Sequence, residues 1–243
     1  MILKNVDDKT EILKKLRKLI DHPKLYPSKK RQLMFEIYKI EKGWQNEKEA
    51  AHYINTYYKN KKKVIVLHDL RLKYKDISVQ IDHLLIFSFQ FLIIESKYFS
   101  STLYYDSKNK TFNIKTKQGY KGIPDPIKQT ERQILNFKNF LKETGLKKFF
   151  PNNFDSLVLV SPNVYFKKKM PEKIVKADRF FEKIEENFEK VGLLEGISIL
   201  SKHLTTNENK MLFSATELAK FHTPFTYEDY LNMLKLSWIK KAS

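Results

Sequence analysis

The segment Gln80-Ile81-Asp82-His83-Leu84-Leu85-Ile86-Phe87-Ser88-Phe89-Gln90-Phe91-Leu92-Ile93-Ile94-Glu95-Ser96-Lys97 constrains the fold more than any other stretch of the chain. Its two apolar runs are too short for helices, and their β-branched and aromatic content suits strands. A two-residue turn at Ser88-Phe89 makes them an antiparallel hairpin in which Asp82 stands across from Glu95. A four-residue loop from Phe87 to Gln90 keeps that pairing, whereas a slip of one residue would carry Asp82 to the other face. Alternation along a strand returns Lys97 to the face of Glu95. Directly opposed side chains have Cβ atoms about 4.5–5.5 Å apart, and like charges there are destabilising. The pair therefore needs a compensating charge, for which a divalent cation is the natural candidate. The bland alternative is a strand end with a Glu–Lys ion pair and an unrelated Asp.

The elements around the hairpin follow from periodicity and punctuation. Helices are expected over 9–20 and 28–42, separated by the Pro-punctuated break His22-Pro23-Lys24-Leu25-Tyr26-Pro27. Gly43-Trp44-Gln45-Asn46 then leads into a third, Glu47 to Tyr58, with an apolar face at Ala50, Ala51, Ile54 and Tyr58. Val64 to Leu67 reads as a strand, and Leu103-Tyr104-Tyr105 with Thr111 to Ile114 as an exposed hairpin around Ser107 to Lys110. Gly119-Tyr120-Lys121-Gly122 reads as a turn. Asp125-Pro126 is a helix start, because Asp can cap and Pro is tolerated in the first turn. That helix is expected to reach Glu143 and to bury Ile127, Ile134, Leu135 and Leu141. Leu157 to Val160 is a short apolar strand of the kind covered on both faces. A helix over 178–190 would bury Phe181, Ile184 and Phe188, with mostly helical structure after it.

Composition limits what such a chain can do. It has 243 residues, 42% hydrophobic and 14% aromatic, enough for a real core. The absence of cysteine excludes disulfides, thiolate zinc sites and a Cys nucleophile, and fits a reducing compartment. With 6 glycines there is no phosphate-binding Gly-rich loop, and the six histidines show no paired metal-site spacing. His83 alternates away from Asp82 and reads as a core or surface residue rather than a ligand. Residues 1–8 lack a signal-peptide core, and the run Leu84 to Ile94 is too short to span a bilayer. A soluble cytoplasmic protein with no membrane contact is expected. The net charge is +18, and residues 43–163, which hold the carboxylate hairpin, carry 20 basic against 11 acidic side chains. A surface of that sign attracts polyanions such as nucleic acids. A general preference for lysine is the alternative explanation.

The order helix, three strands, helix, strand, with Gly43-Trp44-Gln45-Asn46-Glu47-Lys48, Gln80-Ile81-Asp82-His83, Ile94-Glu95-Ser96-Lys97 and Asp125-Pro126-Ile127-Lys128-Gln129, resembles the nuclease-related domain (NERD) family. That family is a branch of the PD-(D/E)XK restriction-endonuclease-like superfamily. The resemblance covers about residues 43–161, and two positions depart from the family pattern: Asn46 replaces a usual Gly, and Asp125 replaces a usual Asn. It implies an α/β fold, a three-layer restriction-endonuclease-like core with a mixed central sheet flanked by helices. Residues 1–42 would be a helical N-terminal extension, 43–163 the core, and 164–243 a mostly helical C-terminal region packed on it.

The resemblance also implies roles. Asp82 and Glu95, with the main-chain carbonyl of Ser96, would hold Mg²⁺, with Mn²⁺ as a possible substitute. Lys97 would orient or deprotonate the attacking water and offset phosphate charge. Glu47 would complete the metal shell or place a second ion, with Glu49 as its competitor, and Gln129 would face the site. Both Glu47 and Gln129 have the plain alternative of a solvated helix side chain. The expectation is a Mg²⁺-dependent nuclease, with DNA the first candidate. A non-catalytic nucleic-acid-binding domain on the same fold and a protein-interaction module stand as alternatives.

Overall fold

In the computed structural model, which describes residues 1–61, 63–99, 101–187 and 208–236, the chain opens with a short strand, β1 (Ile2–Lys4), and two helices, α1 (Thr10–Leu19) and α2 (Pro27–Tyr58). Three strands follow as an antiparallel meander: β2 (Ile65–Tyr74), β3 (Ile77–Ile86) and β4 (Gln90–Lys97). The chain then leaves the sheet for a separate antiparallel unit of β5 (Leu103–Asp106), β6 (Thr111–Thr116) and β7 (Gly119–Ile123). It crosses over through α3 (Pro126–Glu143) and returns as β8 (Asn153–Val160), parallel to β4, with β9 (Ile174–Lys176) beside it. The order β1-β2-β3-β4-β8-β9 makes one mixed six-stranded sheet. A helical stretch over residues 180–187 (α4) and two further helices, α5 (Glu208–Ala219) and α6 (Tyr227–Met233), complete the described chain.

Strand alternation sorts the core into two layers. Phe91 and Ile93 of β4 face Phe137, Phe140 and Leu141 of α3 and Met211, Ala215 and Leu218 of α5. Leu92 and Ile94 face Ala50, Ile54 and Tyr58 of α2 and Phe180 and Ile184 of α4. Each large side chain buried this way contributes roughly 1.5–3 kcal/mol. The result is an α/β protein whose mixed central sheet is flanked by helices, as in a restriction-endonuclease-like core. Smaller clusters join α1, the first half of α2 and α6, and seat the β5–β7 unit on β8.

The hairpin has the expected register, His83 pairing with Ile94 and Ile86 with Phe91 around a turn at Ser88-Phe89. Asp125 caps α3, its Oδ1 accepting from the N–H groups of Ile127 and Lys128 at 2.8 and 3.2 Å, with Pro126 in the first turn.

Several expectations are corrected. The two helices expected on either side of Gly43-Trp44-Gln45-Asn46 are one continuous helix, α2, which also runs across the 42/43 boundary. A glycine costs only about 1 kcal/mol inside a helix, and packing at both ends of α2 outweighs that. Residues 119–123 form β7 instead of a turn. Gly119, at φ +117°, supplies the left-handed turn exit, and Gly122 pairs with Asn113 within the strand. Leu135 is 67% exposed and Phe181 is exposed, because the buried stripes of their helices run through Phe137, Phe140 and Leu141 and through Phe180 and Ile184. β1 is an unforeseen strand, held to β2 by parallel pairing. Phe188, and residues 189–207 and 237–243 of the mostly helical segment expected after it, lie outside the described residues.

Candidate active site

Asp82 sits where two strand ladders break. The β3–β4 pairing stops at His83 and Ile94, and the β2–β3 pairing skips from His68–His83 to Leu70–Ile81, leaving Asp69 and Asp82 out. Asp69 adopts φ +49°, a left-handed conformation that Asp tolerates better than most residues. With no ladder partner beside it, Asp82 turns its carboxylate to Ser96. Its Oδ2 accepts from the Ser96 N–H at 2.8 Å and from the Ser96 hydroxyl at 2.9 Å.

Glu95 continues the alternation of Phe91 and Ile93 and so emerges on the α3 side of the sheet. There α3 presents two amides one turn apart. Gln129 Nε2 donates to Glu95 Oε1 at 2.7 Å, and Gln133 Nε2 donates to Oε2 at 2.6 Å. The Lys97 ammonium lies 2.6 Å from Oε1. Glu95 is buried, its carboxylate gripped on both oxygens.

Glu47 reaches the same place from the middle of α2. Its Oε2 accepts from the Lys9 ammonium at 2.8 Å, and Lys9 lies 3.5 Å from Asp69. Burial alone would lower the Lys9 ammonium, but Glu47 and Asp69 more than offset it and hold the group charged. Burial pushes the Glu47 carboxyl up, with Asp69 and Glu95 adding to the shift and Lys9 opposing it. Burial also raises the Asp82 carboxyl, and Glu95 and then Glu47 push it further the same way. Four carboxylates thus share a small region with two ammonium groups.

The expected residues Glu47, Asp82, Glu95, Ser96, Lys97 and Gln129 all line one cleft of about 560 Å³. Glu49, the competitor of Glu47, lines a neighbouring groove instead. His83 is buried on the opposite face, its Nδ1 2.7 Å from that of His68, which also meets Asn55. The departure at Asn46 has a structural use, since its buried amide oxygen accepts from Ser161 Oγ at 3.1 Å and ties α2 to the end of β8.

Sequence reasoning missed Gln133, Lys9 and Asp69. Gln133 was readable, because the spacing Gln129–Gln133 puts both amides on one helix face. Lys9 and Asp69 carry no local signal, since tertiary folding alone brings them to Glu47.

The donor set suits a hard, hydrated cation. Among the described residues no three His, Cys, Asp or Glu side chains cluster to hold a metal by themselves. Two carboxylates, a carbonyl and water match Mg²⁺, which keeps several waters and takes one or two protein carboxylates. Gln133 Oε1 is buried beside Glu95 with no hydrogen-bond partner among the described residues, an orphaned acceptor of the kind a metal-bound water would satisfy.

Comparison with known families matches residues 42–161 to the nuclease-related domain. Residues 42–161 are a nuclease-related domain. All six of the cleft residues expected from the sequence lie within it. No curated protein and no solved structure matches the chain. A nuclease-related domain implies nuclease-like chemistry and contact with nucleic acid. Among the described residues no helix is long and apolar enough to cross a membrane.

Proposed function

We propose that the cleft hydrolyses phosphodiester bonds in DNA with Mg²⁺, for which Mn²⁺ can substitute. The observation that carries this reading is the convergence of Asp82, Glu95 and Lys97 in one cleft, within residues that match a nuclease-related domain. A cation held by Asp82, Glu95 and the Ser96 carbonyl would supply an acidified water and offset the charge that develops on the scissile phosphate.

The chain's own groups do the rest. Gln129 and Gln133 hold the Glu95 carboxylate in one orientation from α3, as a metal ligand requires. The Ser96 N–H and hydroxyl do the same for Asp82. Lys97, partly exposed at the cleft, orients the attacking water and neutralises a phosphate oxygen. Lys9 engages the Glu47 carboxylate, so Glu47 acts on the site through its field and through that ion pair.

Incubating the pure protein with labelled single- and double-stranded DNA and RNA, in Mg²⁺, Mn²⁺ or EDTA, tests the reading. Cleavage is expected with either metal and not with EDTA. Glu95→Ala and Lys97→Ala should each lower it by about a hundredfold or more while circular dichroism stays native. Either variant cleaving like the parent protein would show that the site lies elsewhere.

A further inference from the structure

A second groove, of about 550 Å³, continues from the cleft and shares Lys42, Asn46, Tyr98 and Phe99 with it. It runs between α2 and the loops that flank β5, ending at Thr102 and Tyr165. Aromatic rings stand open along it. Tyr98 is 43% exposed and Tyr165 66% exposed, although a ring of that size ordinarily finds cover in a folded core. The Lys42 ammonium lies 5.7 Å from the centre of the Tyr98 ring.

The aromatic and basic character continues past Tyr165. Residues 164–168 run alongside β5, with Leu103 and Phe166 bridged and Phe166 packed inward, so that Tyr165 and Lys167 point away from the core. Tyr104 and Tyr120 lie on the outer face of the β5–β7 sheet with ring centres 5.6 Å apart, and Lys167 sits 4.7 Å from the Tyr120 ring centre. Residues 98–124 and 161–170 carry eight lysines, and Asp106 is their one acidic residue. The groove's other polar lining is amides and hydroxyls, with Glu49 its one carboxylate.

Open tyrosines spaced among lysines are the chemistry of single-strand recognition. Any base can stack on a ring, the ammonium groups follow the phosphates, and amides and hydroxyls reach base edges. A duplex hides its base faces and would leave the rings unused. We propose that this groove is a track for single-stranded nucleic acid, with bases stacked on Tyr98 and Tyr165 and phosphates drawn along by Lys42 and Lys167. The track deepens the nuclease reading, on which it rests for its purpose, by assigning the cleft a single-stranded or frayed substrate.

Fluorescence anisotropy in EDTA, where no cleavage is expected, separates the two ideas. The probes are labelled oligothymidine, oligouridine of the same length, and a duplex of that length. Tighter binding of at least one single strand than of the duplex is expected. Tyr165→Ala should weaken it on the order of tenfold, the worth of one stacked base, while Tyr165→Phe restores it and duplex binding stays the same. Because Tyr165 is so exposed, the alanine variant should keep the native circular dichroism and melting temperature. Single-strand binding with this pattern, in a protein that cleaves nothing when metal is added, would uphold the track and sink the nuclease reading. Preference for duplex, no binding to any probe, or single-strand affinity unmoved by Tyr165→Ala would overturn the track, whatever the cleavage assay gives.

Discussion

His68 spans the layer between sheet and helix, one ring nitrogen 2.7 Å from His83 and the other 2.9 Å from the Asn55 amide oxygen of α2. Burial, with Lys4 adding to it, holds its pKa down at about 4. The unfolded chain binds this proton below about pH 6.5, whereas the folded protein does so only near pH 4. The stability that His68 contributes is therefore present above pH 6.5 and is lost as pH falls toward 4. The limiting slope is about 1.4 kcal/mol per pH unit for one proton. Urea unfolding at a series of pH values should show that loss in the wild type and a shallower slope in His68→Gln. Equal slopes would mean that the ring is not held neutral. The sequence places His83 away from Asp82 by alternation alone, but the partnership with His68 and Asn55 depends on where α2 crosses the sheet. The same limit explains why Glu47 could be named beforehand and its counter-ion Lys9 could not.

Elements were legible wherever one pattern dominated. The β3–β4 hairpin follows from two apolar runs and a short turn, and α3 follows from the Asp125-Pro126 start. The errors came where a local breaker competed with packing. Gly43 reads as an interruption, yet α2 passes through it because Ala50, Ile54 and Tyr58 on one side and Leu33 and Ile37 on the other are both anchored. Gly43 is helical, its φ is not left-handed, and a Cβ built on it meets nothing within 4 Å. Gly43→Ala should accordingly raise the unfolding free energy by about 0.5–1 kcal/mol through lost freedom of the unfolded chain, readable by chemical denaturation. A destabilised variant would mean that the helix breaks at this point after all. Element-level reading also placed Gln129 correctly on α3, while Leu135, one position past Ile134, lies outside the buried stripe of Ile134, Phe137 and Leu141 and turns outward.

Over the whole molecule the charge distribution has two scales. The net charge of +18 favours a polyanion at long range, whereas Glu47, Asp69, Asp82 and Glu95 make a local acidic centre answered by Lys9 and Lys97. A basic surface around an acidic pit can draw in a phosphate backbone and a cation together. Asp82 and Glu95 carry like charges within that pit, and under the proposed reading a cation would relieve their repulsion, so metal should stabilise the folded chain by mass action. The gain is about 2.7 kcal/mol when the free metal is a hundredfold above its dissociation constant. Asp82→Asn removes one of the two charges and keeps the shape. Thermal unfolding of the wild type and Asp82→Asn, each with and without Mg²⁺ or Mn²⁺, is the decisive measurement. The wild type should melt higher with metal, while Asp82→Asn should melt at or above the metal-free wild type and gain nothing from metal. The same metal-induced rise in both proteins would contradict the assignment of Asp82 and Glu95 as the metal-holding pair.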